Sequence, residues 1–196
     1  MPVTAIIAGS TDVGPLEDVL QAAFWDDPVT TFLFPDMLLY QGSPQQDCCA
    51  IGLHTYGFND LPSGIQQRVV INLSSWFTPG FLPANYDDVE VLSHEIAETF
   101  NDPFDVSDGI HGLTPWWLSS NGVCEDDSEV GDVVENLPNA DYTTTMNGYT
   151  YHLQNVALMQ WFDTGQPSDA LGGAYSYPDA SVLTSPATLQ NVNCSP

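Results

Sequence analysis

Three stretches within the first 77 residues have the composition of buried strands. Residues 3–9 (VTAIIAG) form an apolar run that ends at a glycine. Residues 50–58 (AIGLHTYGF) and 68–77 (RVVINLSSWF) are rich in β-branched and aromatic side chains, and Pro62 and Gly64 lie between them. The pattern predicts three strands, of which the second and third pair as neighbours in a sheet.

Residues 88–101 are predicted to form a helix, because apolar residues recur there at helical spacing. Asp87 and Glu90 provide a start that resembles a capping box, and Pro103 ends the helix. The members of the single apolar stripe are Val89, Leu92, Ile96 and Phe100.

Two further segments have weaker helical periodicity. Residues 16–25 (LEDVLQAAFW) follow Pro15, and residues 151–162 (YHLQNVALMQWF) form a last predicted helix. Irregular structure is expected in 29–47, in most of 102–149 and in the tail 163–196. No internal repeat or linker divides the chain, so the sequence predicts one domain over residues 1–196, of the α+β class, with a loop-rich C-terminal part.

The charge composition is one-sided. The chain has 26 Asp and Glu against a single basic residue, Arg68, although only 14% of its residues are charged. A protein that works in acid can omit Lys and Arg, since its carboxylates neutralise as the pH falls and few positive charges remain to repel one another. We interpret the chain as a secreted protein from an acidic environment, with compositional drift of a tolerant surface as the alternative. No nucleic acid or membrane is expected as a partner, because neither would find a basic patch.

The cysteines support the same setting. Their spacing is not that of a structural zinc site, and an even number in a secreted chain predicts two disulfide bonds, with three pairings open. The four positions are Cys48, Cys49, Cys124 and Cys194. Asn72 and Asn193 each begin a glycosylation sequon.

The predicted helix 88–101 carries the candidate chemistry. His94-Glu95 followed by Glu98 has the layout of the H-E-x-x-H zinc helix, with a carboxylate in place of the second imidazole. Residues four apart lie on one side of a helix, so His94 and Glu98 could bind one divalent cation together. Glu95 lies on the flank of that pair, where zinc hydrolases hold the general base that takes a proton from water.

A third ligand must come from elsewhere in the chain. The acidic segment 124–135 (CEDDSEVGDVVE) contains Glu129 and Asp132 at i, i+3 spacing; one could bind the metal and the other could orient His94. A solvated acidic loop is the alternative for this segment. Zn²⁺ and Ca²⁺ both stay open as cofactors, because 105–109 (DVSDG) and 125–129 (EDDSE) are oxygen-rich loops that would suit calcium.

The segment SHEIAETFNDP, residues 93–103, resembles a motif of extracellular proteins that include the phosphate-induced, Exordium-like proteins and related uncharacterised secreted microbial proteins with a zincin-like helix. CAIGLH (49–54), EVGD (129–132) and NGYTYHLQ (147–154) resemble further elements of that group in the same order. The resemblance spans residues 45–162. It differs at Cys124, which precedes EVGD where a cysteine after it is expected.

The resemblance implies a zincin-like scaffold in which a small twisted sheet packs against the active-site helix. It implies His94 and Glu98 as metal ligands, completed by Glu129 or Asp132, and Asp102 as an anchor at the helix end.

Motif and composition together predict a secreted, acid-adapted metalloprotein that acts as a zinc-dependent hydrolase of the peptidase type, on a peptide, cell-wall or other extracellular substrate. The alternative is a non-catalytic extracellular protein, carbohydrate-binding or associated with the cell surface, that keeps the scaffold.

Overall fold

The computed structural model describes residues 3–7, 29–41, 48–82, 86–104, 117–118, 124–125, 128–162, 167 and 171–186. The chain divides into two compact units, Met1–Glu95 and Ile96–Pro196. Strands outnumber helices in the described part, and the sheets are small, so the α+β class is confirmed. The single zincin-like domain over residues 1–196 stays a prediction.

The first unit contains two three-stranded sheets. In one sheet, the strand order is β1 (Val3–Ile7), β3 (Met37–Gln41) and β4 (Cys48–Ala50), and both pairs are antiparallel. In the other sheet, β6 (Gln66–Trp76) pairs in parallel with β2 (Val29–Pro35) and antiparallel with β5 (Gly52–Asp60). The strands predicted at 3–9, 50–58 and 68–77 are confirmed, and so is the pairing of the last two.

The core of the first unit consists of apolar side chains from both of its sheets. Leu39 of β3 packs with Ile71 and Leu73 of β6, and all three are buried. Around them pack Phe32, Phe34, Met37 and Leu53. Because side chains alternate between the faces of a strand, the opposite face of β5 and β6 carries Gly52, His54, Asn72 and Ser74.

Irregular structure was the expectation for residues 29–47, and it is wrong for β2 and β3. Phe32 and Phe34 turn one way and Thr31 and Leu33 the other, which is the period of a strand with one packed face. The turn between the two strands places Asp36 at a φ of 52°, a region that Asp tolerates better than most residues.

The helix predicted over 88–101 is confirmed as α1, Glu90–Asn101, and the division between the units falls within it. Its start differs from the expected cap. The Asp87 carboxylate accepts a hydrogen bond from the Gly80 N–H (3.1 Å), and it is the Asp87 carbonyl that accepts from the Glu90 N–H (3.2 Å).

The expected apolar stripe of α1 is not its buried face. Phe100 is 80% exposed and Ile96 is 38% exposed. The buried positions are mostly acidic or polar, and their side chains are 2–6% exposed: Glu90, Val91, Glu95, Glu98, Thr99 and, just past the helix end, Asp102. The amphipathic pattern of this helix is therefore inverted, with carboxylates inside.

The second unit is built from short elements. The antiparallel pairs are β7 (Trp117–Leu118) with β8 (Cys124–Glu125), β9 (Asp141–Met146) with β10 (Tyr149–Gln154), and β11 (Val156–Ala157) with β12 (Ser176–Tyr177). A single-turn helix, α2 (Met159–Phe162), follows β11. The core contains Val130, Val133, Val134, Ala157, Phe162, Tyr175 and Leu183.

The helix predicted over 151–162 is wrong except for its last turn, because residues 151–154 and 156–157 are strand and only Met159–Phe162 is helical. Asn147 and Gly148 have φ values of 55° and 84°, as a two-residue hairpin turn requires, and they join β9 to β10. The same hairpin occupies part of 102–149, which was expected to be mostly loop. The predicted helix 16–25 lies outside the described residues, and in the described part of the tail only β12 is regular.

The structure also describes the side chain of one of the predicted disulfide cysteines and one of the two glycosylation sequons. Cys49 is disulfide-bonded, and none of the cysteines in the described ranges is free. Asn72 is fully buried and accepts a hydrogen bond from the Ser74 hydroxyl (2.5 Å), so its sequon cannot carry a glycan in the folded protein. Across the residues that the structure describes, no helix has both the length and the apolar character to cross a membrane.

Candidate metal centre

Helix α1 brings the predicted ligands together. His94, Glu95 and Glu98 each present a ligand atom, and these atoms lie within 4.8 Å of one another. Glu95 and Glu98 are buried, whereas His94 is half-buried. The helical spacing that motivated the prediction therefore places one imidazole and two carboxylates around one point.

Glu95 lies in a recess that the sequence did not reveal. A Cβ atom at Gly52 of β5 would come within 2.7 Å of the Glu95 Cγ and 2.8 Å of a Val91 methyl group, so glycine is what lets the helix approach the strand. Two residues along β5, on the same face, the buried His54 places its Nδ1 3.6 Å from Glu95 Oε2. The distance is that of an ion pair and is longer than a well-formed hydrogen bond.

Glu98 has a second set of contacts, within the second unit. Its Oε1 accepts hydrogen bonds from the backbone N–H groups of Gly131 (3.0 Å) and Asp132 (3.2 Å). Glu98 and Glu129 also present ligand atoms within 4.8 Å of one another. One carboxylate thus anchors a backbone turn and has a second carboxylate beside it.

Asp132 and Asp102, the other two acidic residues predicted for the site, make contacts of different kinds. Among the described residues, the Asp132 carboxylate is not part of a cluster of potential metal ligands. The backbone N–H of Asp132 donates a hydrogen bond to Glu98 instead. Asp102 is buried, and its Oδ2 accepts a hydrogen bond from the N–H of Ser128 (3.0 Å), the residue before Glu129. Asp102 therefore fixes the chain next to Glu129; its role towards a metal stays a prediction.

The turn that follows Glu129 is held from several sides. The Gly131 carbonyl accepts a hydrogen bond from Gln154 Nε2 (3.0 Å), and the Val130 carbonyl accepts one from the Ala157 N–H (2.8 Å). Val130 and its neighbours Val133 and Val134 belong to the core of the second unit. The segment EVGDVV is consequently a packed turn, and not the helix or the solvated loop that the sequence left open.

The buried carboxylates of this region need compensation. An ionised carboxylate in a protein interior is costly unless charge or hydrogen bonds balance it. The whole chain has no Lys and one Arg, Arg68, whose guanidinium lies over the rings of Tyr56 (5.4 Å) and Phe58 (5.5 Å). Histidine, hydrogen-bond donors of the backbone and of neutral side chains, protons and a bound cation can each contribute to that compensation.

The donor set fits a divalent cation of the zinc type. Zn²⁺ binds His nitrogen and carboxylate oxygen at about 2.0–2.2 Å, so neighbouring donors around a tetrahedral ion are about 3.4 Å apart. Atoms already within 4.8 Å reach that spacing through small side-chain rotations. An imidazole donor favours Zn²⁺ over Ca²⁺, which prefers oxygen alone. The oxygen-rich loop 105–109 lies outside the described residues.

His54 and Gly52 are the site residues that sequence reasoning did not select. The usable signal was the period of two in β5, which puts Gly52 and His54 on one face, combined with a glycine inside a strand, which often marks a close approach of another backbone. The helix that makes the approach could not be identified from that pattern.

Comparisons with protein-family models, with curated proteins and with solved structures found no match for this chain. The similarity to the Exordium-like group therefore stays a prediction from short motifs.

Proposed function

We propose that the protein is a secreted, acid-adapted metalloprotein whose H-E-x-x-E helix holds a zinc ion and hydrolyses a peptide or another extracellular substrate. The proposal names His94 and Glu98 as ligands, with Glu129 as the third. The observation that carries it is the convergence of one imidazole and buried carboxylates in a chain with almost no basic side chains.

Within this proposal, a bound zinc ion would polarise a carbonyl group and lower the pKa of a water molecule. Glu95 is the residue that accepts the proton of the attacking water and passes it to the leaving group, because it is adjacent to the ligands in space. Gly52 leaves room for the Glu95 carboxylate, and His54 faces one of its oxygens. His54 is therefore a positioning residue, since the contact restricts the orientation of Glu95.

The anionic ligands set an expectation for the rate. A carboxylate donor places negative charge on the metal and reduces its strength as a Lewis acid, so slow or specialised hydrolysis fits this centre better than broad proteolysis.

The direct test is the metal content of purified protein and of two variants. We expect about one zinc per chain in the wild type and in Glu95→Gln, and none in His94→Ala. Glu95→Gln should lower hydrolysis of any cleaved peptide by roughly 10²–10⁴-fold while fold and metal are kept. A wild type that binds neither zinc nor calcium saturably contradicts the metal site, and full activity in Glu95→Gln contradicts the mechanism.

A second candidate, a non-catalytic extracellular binding or structural protein, is favoured by one observation. Glu98 and Asp102 both accept hydrogen bonds from the backbone around Glu129, a role that needs no metal. In that case Glu98 and Asp102 serve folding, and Glu95→Gln leaves any binding activity unchanged.

A further inference from the structure

The β9–β10 hairpin displays an uncharged row of side chains on one face. Its cross-strand pairs alternate between faces, and the pairs Tyr149–Met146, Tyr151–Thr144 and Leu153–Tyr142 lie on the same side. We call these six residues the tyrosine face. The opposite side carries Thr143, Thr145, Thr150 and His152.

The tyrosine face is open to solvent at the hairpin tip. Tyr149 is 69% exposed and Met146 is 58% exposed, although both are large and mostly apolar. The rings of Tyr149 and Tyr151 follow one another with centroids 6.5 Å apart. Towards the base of the hairpin, the pKa of Tyr142 is raised, first by burial and second by the phenol of Tyr177.

The lack of charged side chains in this part of the hairpin favours an uncharged binding partner. Residues 142–151 (YTTTMNGYTY) contain no Asp, Glu, Lys or Arg, in a chain with a net charge of −25. An anionic polymer would be repelled by the rest of the molecule, and a cationic partner would find no carboxylate on this face. An uncharged ligand that offers both apolar C–H faces and hydroxyl groups matches the tyrosine rings of this face and the hydroxyl groups of its tyrosines and Thr144.

We propose that the tyrosine face binds a neutral polysaccharide, whose pyranose rings stack on Tyr149 and Tyr151. An extended row of side chains along two strands suits an extended chain of β-linked sugars. Each tyrosine supplies a flat apolar ring and a hydroxyl group that can hydrogen-bond to the sugar. This binding surface is independent of the metal proposed for α1, and metal content does not enter its test.

The test is depletion of the full-length protein from solution by two insoluble probes, microcrystalline cellulose and chitin, at pH 5. We expect binding to at least one probe. Tyr149→Ala and Tyr151→Ala should each weaken it about tenfold, the usual order for an aromatic contact residue. Thr145→Ala changes the opposite face and is the matched control, expected to bind as the wild type. Binding should persist in 1 M NaCl, where the Debye length is about 3 Å, because the face has no charge.

Thermal melts of all variants show whether the exposed substitutions leave the fold intact. The proposal is overturned if neither polysaccharide depletes the wild type, if the tyrosine variants bind as well as the wild type, or if salt removes the binding. A concentration-dependent dimer that Tyr149→Ala abolishes, without binding to either probe, would replace the polysaccharide by a second copy of the chain.

Discussion

Glu98 has two roles that a single substitution can separate. Its Oε1 accepts two backbone hydrogen bonds, and Glu98 also presents a potential ligand atom within 4.8 Å of those of its helix neighbours His94 and Glu95 and of that of Glu129. In Glu98→Gln, the amide oxygen can still accept from Gly131 and Asp132, while the negative charge and one ligand oxygen are lost. In Glu98→Ala, both backbone N–H groups lose their partner.

The magnitudes follow from these contacts. Hydrogen bonds to a charged group contribute about 1.5–3 kcal/mol each, so Glu98→Ala should cost about 3 kcal/mol or more without metal. Glu98→Gln should cost about 2 kcal/mol less than that, because its neutral amide oxygen still accepts two bonds of about 1 kcal/mol each. Zinc at a hundred times its Kd adds about 2.7 kcal/mol to the wild type. For a chain of 150–250 residues this raises Tm by roughly 5–10 °C. A hundredfold weaker site in Glu98→Gln leaves about 0.4 kcal/mol at the same zinc concentration, or about 1–2 °C.

The assay is a thermal melt with EDTA and with zinc, together with a calorimetric zinc titration. Asp102→Asn is the matched control, because it makes the same carboxylate-to-amide change one turn later and keeps an acceptor for the Ser128 N–H. We expect it to lose about tenfold in zinc affinity, the low end of the range for residues behind metal ligands. If Glu98→Gln binds zinc as tightly as the wild type, Glu98 is an anchor and not a ligand, and the assignment of the centre fails.

Two further predictions test the surroundings of the site and the pH dependence. Gly52→Ala should destabilise the protein by about 1–3 kcal/mol, because the new methyl group overlaps Glu95. Gly57→Ala on the same strand is the control: its methyl group meets only side chains at 3.7 Å or more, and it should be near neutral. Equal losses of stability for the two variants in urea unfolding would contradict the close contact between Gly52 and Glu95. Burial raises the pKa of Asp141 above 3.8, against the lowering effect of His152 and together with a smaller effect of Glu135. The carboxyl group of Asp141 holds its proton more tightly in the folded than in the unfolded protein. The stability of the folded protein therefore falls as the pH rises from the unfolded to the folded pKa, and the loss is complete above the folded pKa. Asp141→Asn should therefore raise Tm at pH 7 and leave it nearly unchanged at pH 3; a lower Tm at pH 7 would refute this sign.

Sequence periodicity identified the elements that carry a strong local signal. β5, β6 and α1 were predicted within a few residues, because β-branched runs and a capped helical pattern depend on near neighbours. The hairpin of β9 and β10 was missed although Asn147-Gly148 is a strong turn signal, since the apolar residues of 151–162 also fit a helical period. The strand β2 was missed for another reason: its partner β6 is distant in sequence, with Val29 opposite Val70.

The candidate site could be predicted only as far as one helix extends. Helical spacing placed His94 beside Glu98, and their potential ligand atoms lie within 4.8 Å of one another. Which face of α1 would be buried did not follow from that spacing. The apolar residues Ile96 and Phe100 indicated one face, whereas the buried positions include Glu95 and Glu98. Glu95 can be buried because Gly52 of β5 leaves room for its side chain. Such a choice depends on tertiary packing.

The carboxylate at position 98 and the lack of basic residues have one physical explanation if the chain works in acid. Metal ligands must be deprotonated, so protons compete with the ion for each donor. At pH 4.5, a second histidine with an ordinary pKa of about 6.5 would be protonated in all but about one molecule in a hundred, whereas a glutamate with a pKa of about 4.3 would be more than half ionised. A Glu in place of the second imidazole would therefore lose less apparent affinity to protons than a histidine would. With a bound ion, the weaker Lewis acidity of a carboxylate-ligated metal would be the cost of keeping it at low pH, and the buried carboxylates of α1 would stabilise the cation.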